Sequence, residues 1–112
     1  MKEEVLVSVL IITYNHEKFI SETIESALNQ RTDFKFEIVI GEDFSTDKTR
    51  EVCESYKKLN PEVINLLPSK KNWGVIPNFI RTHKECKGKY IALCEGDDYW
   101  TCLLYTSDAA DD

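Results

Sequence analysis

The hydrophobic positions of the chain group into four short segments that predict strands. Leu6–Ile12 is a β-rich apolar run without strict alternation, which is typical of a strand covered on both faces of a parallel sheet. Three further strand-forming segments follow it, and they are Phe36–Gly41, Val63–Leu67 and Tyr90–Cys94. We therefore predict a sheet of four strands.

Between these strands, apolar residues recur at the spacing of helices. The residues predicted to face the core are Ile20, Ile24, Ala27 and Leu28 in the first helix, Val52, Cys53, Tyr56 and Leu59 in the second, and Phe79, Ile80, His83 and Cys86 in the third. Ser45, Thr46 and Asp47 offer oxygen atoms that could cap the second helix, and Pro77 suits the first turn of the third. The order βαβαβαβ predicts an α/β domain with a parallel sheet.

The end of the chain does not continue this pattern. The last eleven residues, CLLYTSDAADD, resemble the in-frame translation of a sequencing-library adaptor. We therefore predict a partial domain over residues 1–101 and a non-native tail over residues 102–112.

Composition and charge restrict the class of protein. The chain has 112 residues, of which 42% are hydrophobic and 30% charged, with a net charge of −6. This acidic balance argues against binding nucleic acid through its phosphates, which requires clustered Lys and Arg. The longest apolar run is too short to cross a bilayer, and the first residues are not a basic leader. We expect a cytoplasmic protein.

The four cysteines have no CxxC spacing. Cys53, Cys86 and Cys94 fall where apolar packing residues are expected, and the fourth is Cys102. We predict reduced thiols in the core, with disulfides or a zinc site as the alternative.

Polar clusters follow each of the four predicted strands. In chain order they are Tyr14, Asn15 and His16; Glu42, Asp43, Ser45 and Asp47; Asn72, Trp73 and Gly74; and Glu95, Gly96, Asp97 and Asp98. Because the carboxyl ends of parallel strands meet at one edge, these clusters should form one site there.

The loops lack the glycine motifs that bind phosphate groups, and they contain acidic residues that could bind a cation. Neither GxGxxG nor GxxxxGK[ST] occurs in the chain, so a phosphate-bearing ligand would need a cation that bridges it to carboxylates. Glu95, Asp97 and Asp98 suit that task, and Gly96 allows the chain to turn between them. The alternative is a solvated acidic turn that caps a following helix.

Four segments taken together resemble a known family. Val9–Asn15, Ile38–Asp47, Asn72–Gly74 and Lys89–Trp100 are similar to the nucleotide-binding half of the family 2 glycosyltransferases, which have the GT-A fold. The resemblance covers residues 5–101. It implies a Rossmann-like parallel sheet with alternating helices that is an incomplete GT-A domain.

The resemblance also implies roles for residues in the loops. Thr13, Tyr14 and Asn15 match the loop beneath the nucleotide base, where an aromatic ring can stack. Asp43 matches the residue that accepts a hydrogen bond from the base. The last matching segment, the Asn72 and Gly74 turn, corresponds to a segment near the ribose and pyrophosphate.

The acidic motif corresponds to the DXD positions of the family. Asp97 is the implied ligand of Mg²⁺ or Mn²⁺, and Asp98 is either a second metal ligand or a contact to the sugar. Glu95 departs from the usual Asp, and its longer side chain is expected to contact the ribose or a metal-bound water. Glu42 also stands where Asp is frequent, and we assign it only a supporting role.

The implied activity is inverting, metal-dependent transfer of a sugar from a nucleotide-diphosphate-sugar donor to a hydroxyl of a saccharide or lipid-linked acceptor, in cell-envelope polysaccharide biosynthesis. The family's catalytic base would lie beyond residue 112, so we assign none and expect the chain alone not to catalyse transfer. Membrane contact is expected only through regions outside this chain. The alternatives are a non-catalytic nucleotide-binding α/β module and another nucleotide-using transferase.

Overall fold

The computed structural model describes residues 4–29, 34–95 and 103–106. Strands and helices alternate along it as the hydrophobic pattern predicts. In chain order the elements are β1 (Val7–Thr13), α1 (Ile20–Leu28), β2 (Phe36–Glu42), α2 (Thr49–Leu59), β3 (Ile64–Leu66), α3 (Val75–Lys84), β4 (Tyr90–Glu95) and β5 (Leu103–Thr106). The predicted order βαβαβαβ is therefore confirmed over the first seven elements.

The strands form one sheet in the order β3-β2-β1-β4-β5. The pairs β1–β2, β1–β4 and β2–β3 are parallel, which confirms the predicted parallel α/β sheet. The chain adds β2 and β3 on one side of β1 and then crosses to add β4 on the other side. The strand order therefore reverses between β1 and β4, and this is where open α/β sheets bind ligands.

One face of the sheet carries the main hydrophobic core. Ile11 of β1 and Ile38 and Ile40 of β2 pack against α1 and α2 and have no exposed surface. From α1, Ile20 and Ile24 complete this layer as predicted, and both are fully buried. Each such side chain contributes about 1.5–3 kcal/mol through burial, which is what holds the two helices to the sheet.

The opposite face is covered by α3, and here the prediction was wrong for Ile80, whereas Phe79, His83 and Cys86 are partly buried. The buried residues of α3 are the polar Asn78 and Thr82, whereas Ile80, which was predicted to face the core, is 47% exposed. A side-chain carbon added at Gly41 of β2 would lie 2.0 Å from the Thr82 hydroxyl oxygen. The helix therefore approaches the sheet over a glycine, where small polar side chains fit and isoleucine does not.

The second helix differs from its prediction at both ends. Leu59 is 78% exposed and does not belong to the core face. Of the three predicted capping residues, only Asp47 accepts a hydrogen bond from the first helical N–H, that of Thr49, at 2.9 Å. Ser45 and Thr46 instead bond to the loop that follows β1.

The cysteines follow the prediction in part. Cys53 and Cys86 are free thiols, as predicted. Cys94 is disulfide-bonded, so the prediction of a reduced thiol is wrong there. An apolar setting predicts burial of a cysteine, which holds for Cys94, but it does not reveal a second sulfur close in space.

The strand β5 was not predicted, because the end of the chain does not continue the pattern of the preceding elements. It pairs antiparallel with β4, so that Leu93 lies opposite Leu103. The predicted non-native origin of residues 102–112 stays a prediction. Among the described residues, no helix has both the length and the apolar character that crossing a membrane requires.

Candidate functional site

A cavity of about 460 Å³ opens where the strand order reverses. It lies between the carboxyl ends of β1 and β4 and the first turns of α3. Its lining residues are Ile12, Thr13, Tyr14, His16, Asp43, Val75, Ile76, Phe79 and Leu93. Ligand sites of this size are lined mostly by apolar side chains with a few polar groups that fix orientation, and the cavity has that character.

The loop after β1 forms one wall of the cavity. Thr13 is buried at the end of β1, and its hydroxyl oxygen lies 2.9 Å from Nδ1 of His16. The main-chain N–H of His16 donates to the Thr49 hydroxyl at 2.8 Å. Tyr14 keeps 42% of its surface exposed while it lines the cavity, so its ring is accessible to a planar ligand.

Asn15 does not line the cavity but ties two loops together. Its φ of 56° is a left-handed conformation that asparagine tolerates better than most residues. The side-chain oxygen accepts a hydrogen bond from the N–H of Thr46 at 2.9 Å, and the Asn15 N–H donates to the Ser45 hydroxyl at 2.9 Å. Asn15 therefore fixes the β1–α1 loop against the β2–α2 loop.

Asp43 brings together three residues that the sequence predicted for the site. Its side chain is 3% exposed, and the carboxylate accepts hydrogen bonds from the N–H of Trp73 at 2.6 Å and of Gly74 at 3.0 Å. The Asn72 amide donates to the main-chain carbonyl of Asp43 at 2.9 Å. Asp43 thus holds the turn formed by residues 72–74, and it also lines the cavity.

Gly74 allows the turn to enter α3 directly. Its φ of 93° is a conformation that L side chains rarely adopt, and its carbonyl accepts from the N–H of Asn78 at 2.9 Å. The two carboxylate bonds to Asp43 are charge-assisted, which makes them stronger than neutral ones. The position of the turn therefore depends on Asp43.

Glu42 is a buried carboxylate with structural contacts, and the supporting role in the site stays a prediction. It has no exposed surface, and it accepts a hydrogen bond from the N–H of Ser45 at 2.8 Å. Arg50 neutralises it with an ion pair of 3.6 Å. Such a pair contributes little net stability, but removal of one partner leaves a buried charge and is costly.

The sequence did not reveal the part played by Arg81. Its guanidinium donates to the carbonyls of Pro68 at 2.7 Å and Glu42 at 3.1 Å, and to the Ser69 hydroxyl at 2.6 Å. It also lies 5.0 Å from the centre of the Trp73 ring. Burial lowers the pKa of Arg81, but an arginine stays charged at neutral pH. A basic residue within a helical pattern gives no signal of these contacts.

The acidic motif begins where β4 ends. Glu95 is the last residue of β4 and pairs in parallel register with Ile12, which lines the cavity. The predicted metal ligands Asp97 and Asp98 lie outside the described residues. Within the described part of the chain, no group of three or more His, Cys, Asp or Glu side chains could hold a metal. A metal site stays a prediction, and the carboxylates of the motif fit it as the hard oxygen ligands that Mg²⁺ and Mn²⁺ prefer.

Comparison with solved structures identifies the class of this fold. TarS of S. aureus in complex with UDP matches with a TM-score of 0.72 and 30% identity, over 96% of this chain and 31% of that one. The mannosyltransferase PcManGT from Pyrobaculum calidifontis, in complex with GDP-Man and Mn²⁺, shares the fold with a TM-score of 0.74. Its identity is 20%, over 98% of this chain and 34% of that one. The domain is thus of the GT-A class of glycosyltransferases.

Comparison of sequences identifies the family of this chain. The family model for Glycosyl transferase family 2 matches residues 8–102, so the chain belongs to that family. An uncharacterized protein of Mycobacterium tuberculosis is 39% identical over 100 residues, which are 89% of this chain and 29% of that protein. The dTDP-rhamnosyl transferase RfbG of Shigella flexneri is 38% identical over 92 residues, or 79% of this chain and 32% of RfbG. The chain therefore spans less than two thirds of the length of these relatives.

Proposed function

We propose that this domain binds the nucleotide-diphosphate part of a sugar donor, for a glycosyltransferase that moves the sugar to an acceptor hydroxyl. The observation that supports this most directly is the cavity at the β1–β4 switch point, with an accessible tyrosine ring and a buried carboxylate in its wall. A base needs an apolar slot, a stacking surface and a polar group that recognises its edge, and this cavity offers all three.

Each residue in or next to the cavity has its own role in binding the nucleotide. Tyr14 stacks on the base, because it lines the cavity and keeps 42% of its surface exposed. Asp43 accepts a hydrogen bond from the base, with lone pairs that remain after its two bonds to the turn at residues 72–74. Thr13 and Asn15 hold the loop that carries Tyr14, and Asn72 and Gly74 place the opposite wall near the ribose and pyrophosphate.

The acidic motif completes the donor site in this proposal. Asp97 and Asp98 would bind Mg²⁺ or Mn²⁺, which would neutralise the charge of the diphosphate as it leaves. The solved structure of PcManGT, which is in complex with GDP-Man and Mn²⁺, supports a divalent cation in this fold. Glu95 would contact the ribose or a metal-bound water.

The proposal also covers the stereochemistry of the transfer, its catalytic base, the acceptor and the cellular location. The transfer is inverting, and a carboxylate base deprotonates the acceptor hydroxyl. The acceptor is a saccharide or a lipid-linked saccharide of the cell envelope, and the protein works in the cytoplasm. The names of relatives support the envelope role, since TuaG of Bacillus subtilis is described as a putative teichuronic acid biosynthesis glycosyltransferase.

Calorimetric titration of the 112-residue chain tests the donor site. UDP, GDP and dTDP are each added with and without Mn²⁺, and we expect at least one to bind more tightly with the cation. Tyr14→Ala should weaken that binding by about fivefold or more, since stacking on an aromatic ring contributes about 1–3 kcal/mol per base. Because Tyr14 is exposed, this change should leave the stability of the fold nearly unaltered.

A matched pair of carboxylates tests the acidic motif. Asp97→Ala should remove the effect of Mn²⁺ on nucleotide binding, whereas Glu62→Ala, in the exposed segment before β3, should not. Equal nucleotide binding by the wild type and both variants, with and without Mn²⁺, would rule out the proposed metal role. Failure of all three nucleotides to bind the wild type would rule out the donor site itself.

A further inference from the structure

Arg81 lies on α3, outside the group of residues that line the cavity, yet its donors converge on the segment that leads to the cavity wall. The two terminal nitrogens bind the Pro68 carbonyl, the Ser69 hydroxyl and the Glu42 carbonyl. The Ser69 hydroxyl itself donates to that same Glu42 carbonyl. Arg81 therefore fastens the start of the β3–α3 loop to the end of β2.

The orientation of the guanidinium is itself fixed from the sheet. Its Nε donates to the side-chain oxygen of Asn78 at 2.7 Å, and the Asn78 amide donates to the Gly41 carbonyl at 2.8 Å. Asn78 has no exposed surface, so this link is protected from water. A chain of hydrogen bonds thus runs from β2 through Asn78 to Arg81 and then to the loop.

The far end of the same loop is held by Asp43. The Trp73 and Gly74 N–H groups bind its carboxylate, and the Trp73 ring lies against the Arg81 guanidinium with 5.0 Å between guanidinium carbon and ring centre. The loop is consequently clamped at both ends, by Arg81 at residues 68 and 69 and by Asp43 at residues 73 and 74. If Arg81 is lost, the start of the loop keeps, of these contacts, only the bond from the Ser69 hydroxyl to the Glu42 carbonyl, and the turn depends more heavily on Asp43.

We propose that Arg81 is a positioning residue for the donor nucleotide, acting through the loop at residues 68–74 and the Asp43 carboxylate. This inference rests on the proposed function, because the loop and Asp43 matter to a nucleotide only if the cavity takes one. The role requires the planar fork of arginine. A lysine would keep the charge but has a single nitrogen, which cannot reach the loop, the strand end and Asn78 together.

UDP binding and the free energy of unfolding are measured on the same variants. Together they show whether Arg81 positions the loop for the nucleotide or only stabilises the fold. The variants are Arg81→Gln and Arg81→Lys, and the matched control is Lys57→Met. Lys57 is a cation that likewise donates to main-chain carbonyls, those of Pro61 and Ile64, but at the opposite end of β3. UDP with Mn²⁺ is the binding probe, and urea unfolding gives stability.

Both Arg81 variants should bind UDP about tenfold more weakly than the wild type, which corresponds to the loss of one charge-assisted hydrogen bond. Lys57→Met should lose stability but keep wild-type UDP binding. In nuclear magnetic resonance spectra without nucleotide, the Trp73 and Gly74 amide signals should shift in the Arg81 variants and not in the control. This signature is observable even where a variant is less stable.

Three results would overturn the inference. Wild-type UDP binding by Arg81→Gln is one, and unshifted Trp73 and Gly74 amides is another. Full recovery of binding by Arg81→Lys is the third, because charge alone would then suffice. In each case UDP binding by the wild type leaves the proposed function intact, whereas a wild type that binds no nucleoside diphosphate removes both proposals.

Discussion

At the scale of single residues, Asn15 combines a left-handed backbone with a side-chain acceptor. Asn15→Gly keeps the conformation and loses the bond to the Thr46 N–H, whereas Asn15→Ala loses both. We expect the alanine variant to lose about 2 kcal/mol of unfolding free energy and the glycine variant about half of that. Urea unfolding measures this order, with Asn15→Asp as a control that retains an acceptor. An alanine variant as stable as the glycine variant would contradict it.

Asp47 makes the stability of the same loops depend on pH. Burial raises its pKa, but hydrogen bonds from the Thr49 hydroxyl and from the N–H groups of Thr49 and Glu17 outweigh this effect, so the pKa is lowered from 3.8. A lowered pKa in the folded state means that the stabilisation is present above pH 3.8 and is lost as the pH falls through the folded value.

The prediction is a difference between two acid titrations. Between pH 5.5 and 3, the urea midpoint of the wild type should fall further than that of Asp47→Asn, which cannot gain a proton in this range. The comparison cancels the contributions of all other carboxylates. Parallel curves for the two proteins would show that Asp47 contributes nothing to acid unfolding.

The sequence located the residues of the site better than their contacts. Asp43, Asn72 and Gly74 were each assigned to one edge of the sheet, because each follows a strand. Their direct contact could not be predicted, since about 30 residues separate Asp43 from the turn and the contact depends on the path of a loop. The predicted base-binding carboxylate is therefore also the anchor of the opposite wall.

At the scale of elements, the packing of α3 on β2 depends on the absence of a side chain at Gly41. Gly41→Ala would place a carbon 2.0 Å from the Thr82 hydroxyl oxygen and 3.1 Å from the Asn78 side-chain oxygen. We expect a loss of about 3 kcal/mol in unfolding free energy, because neither neighbour can move without breaking a buried hydrogen bond.

A double-mutant cycle tests the origin of that loss. Thr82→Ala removes the closest atom, so Gly41→Ala should cost less in the Thr82→Ala background than in the wild type. The single Thr82→Ala variant is the control for the lost hydroxyl, which donates to the Asn78 carbonyl. If the cost of Gly41→Ala is the same in both backgrounds, close approach of α3 is not its cause.

The same contact explains why one helix face was predicted incorrectly. Periodicity identified α1, whose apolar residues are buried, because a wide apolar layer faces it. It failed for α3, because Asn78 and Thr82 are buried by close approach to Gly41 and satisfy their polar groups there. In the sequence, a polar residue of a helix looks the same whether it faces water or packs against a glycine of the sheet.

At the scale of the whole molecule, the alternation of elements predicted the parallel sheet but not its strand order. The order β3-β2-β1-β4-β5 decides which loops become neighbours. It places Glu95, the first residue of the acidic motif, beside Ile12, which lines the cavity. Local patterns do not contain this information, since it depends on which side of β1 the chain returns to.

The core that this order creates can be tested through Cys53, which is fully buried between α2 and the sheet. Burial, with a smaller contribution from the charge of Glu42, raises the pKa of the Cys53 thiol to about 12. Because the thiolate is the reactive form, alkylation at pH 8 requires the domain to unfold. Iodoacetamide labelling of Cys53, followed by peptide mass spectrometry, should therefore rise with urea along the unfolding curve.

Cys86 is the internal control, because it is a free thiol whose pKa burial also raises to about 12 but which is only half-buried. Its labelling should begin at lower urea than that of Cys53, through local opening near the end of α3. Labelling of Cys53 in native buffer at the rate of an exposed thiol would mean that α1 and α2 do not form a closed layer on the sheet. Coincident curves for the two thiols would mean instead that α3 opens only with the whole domain.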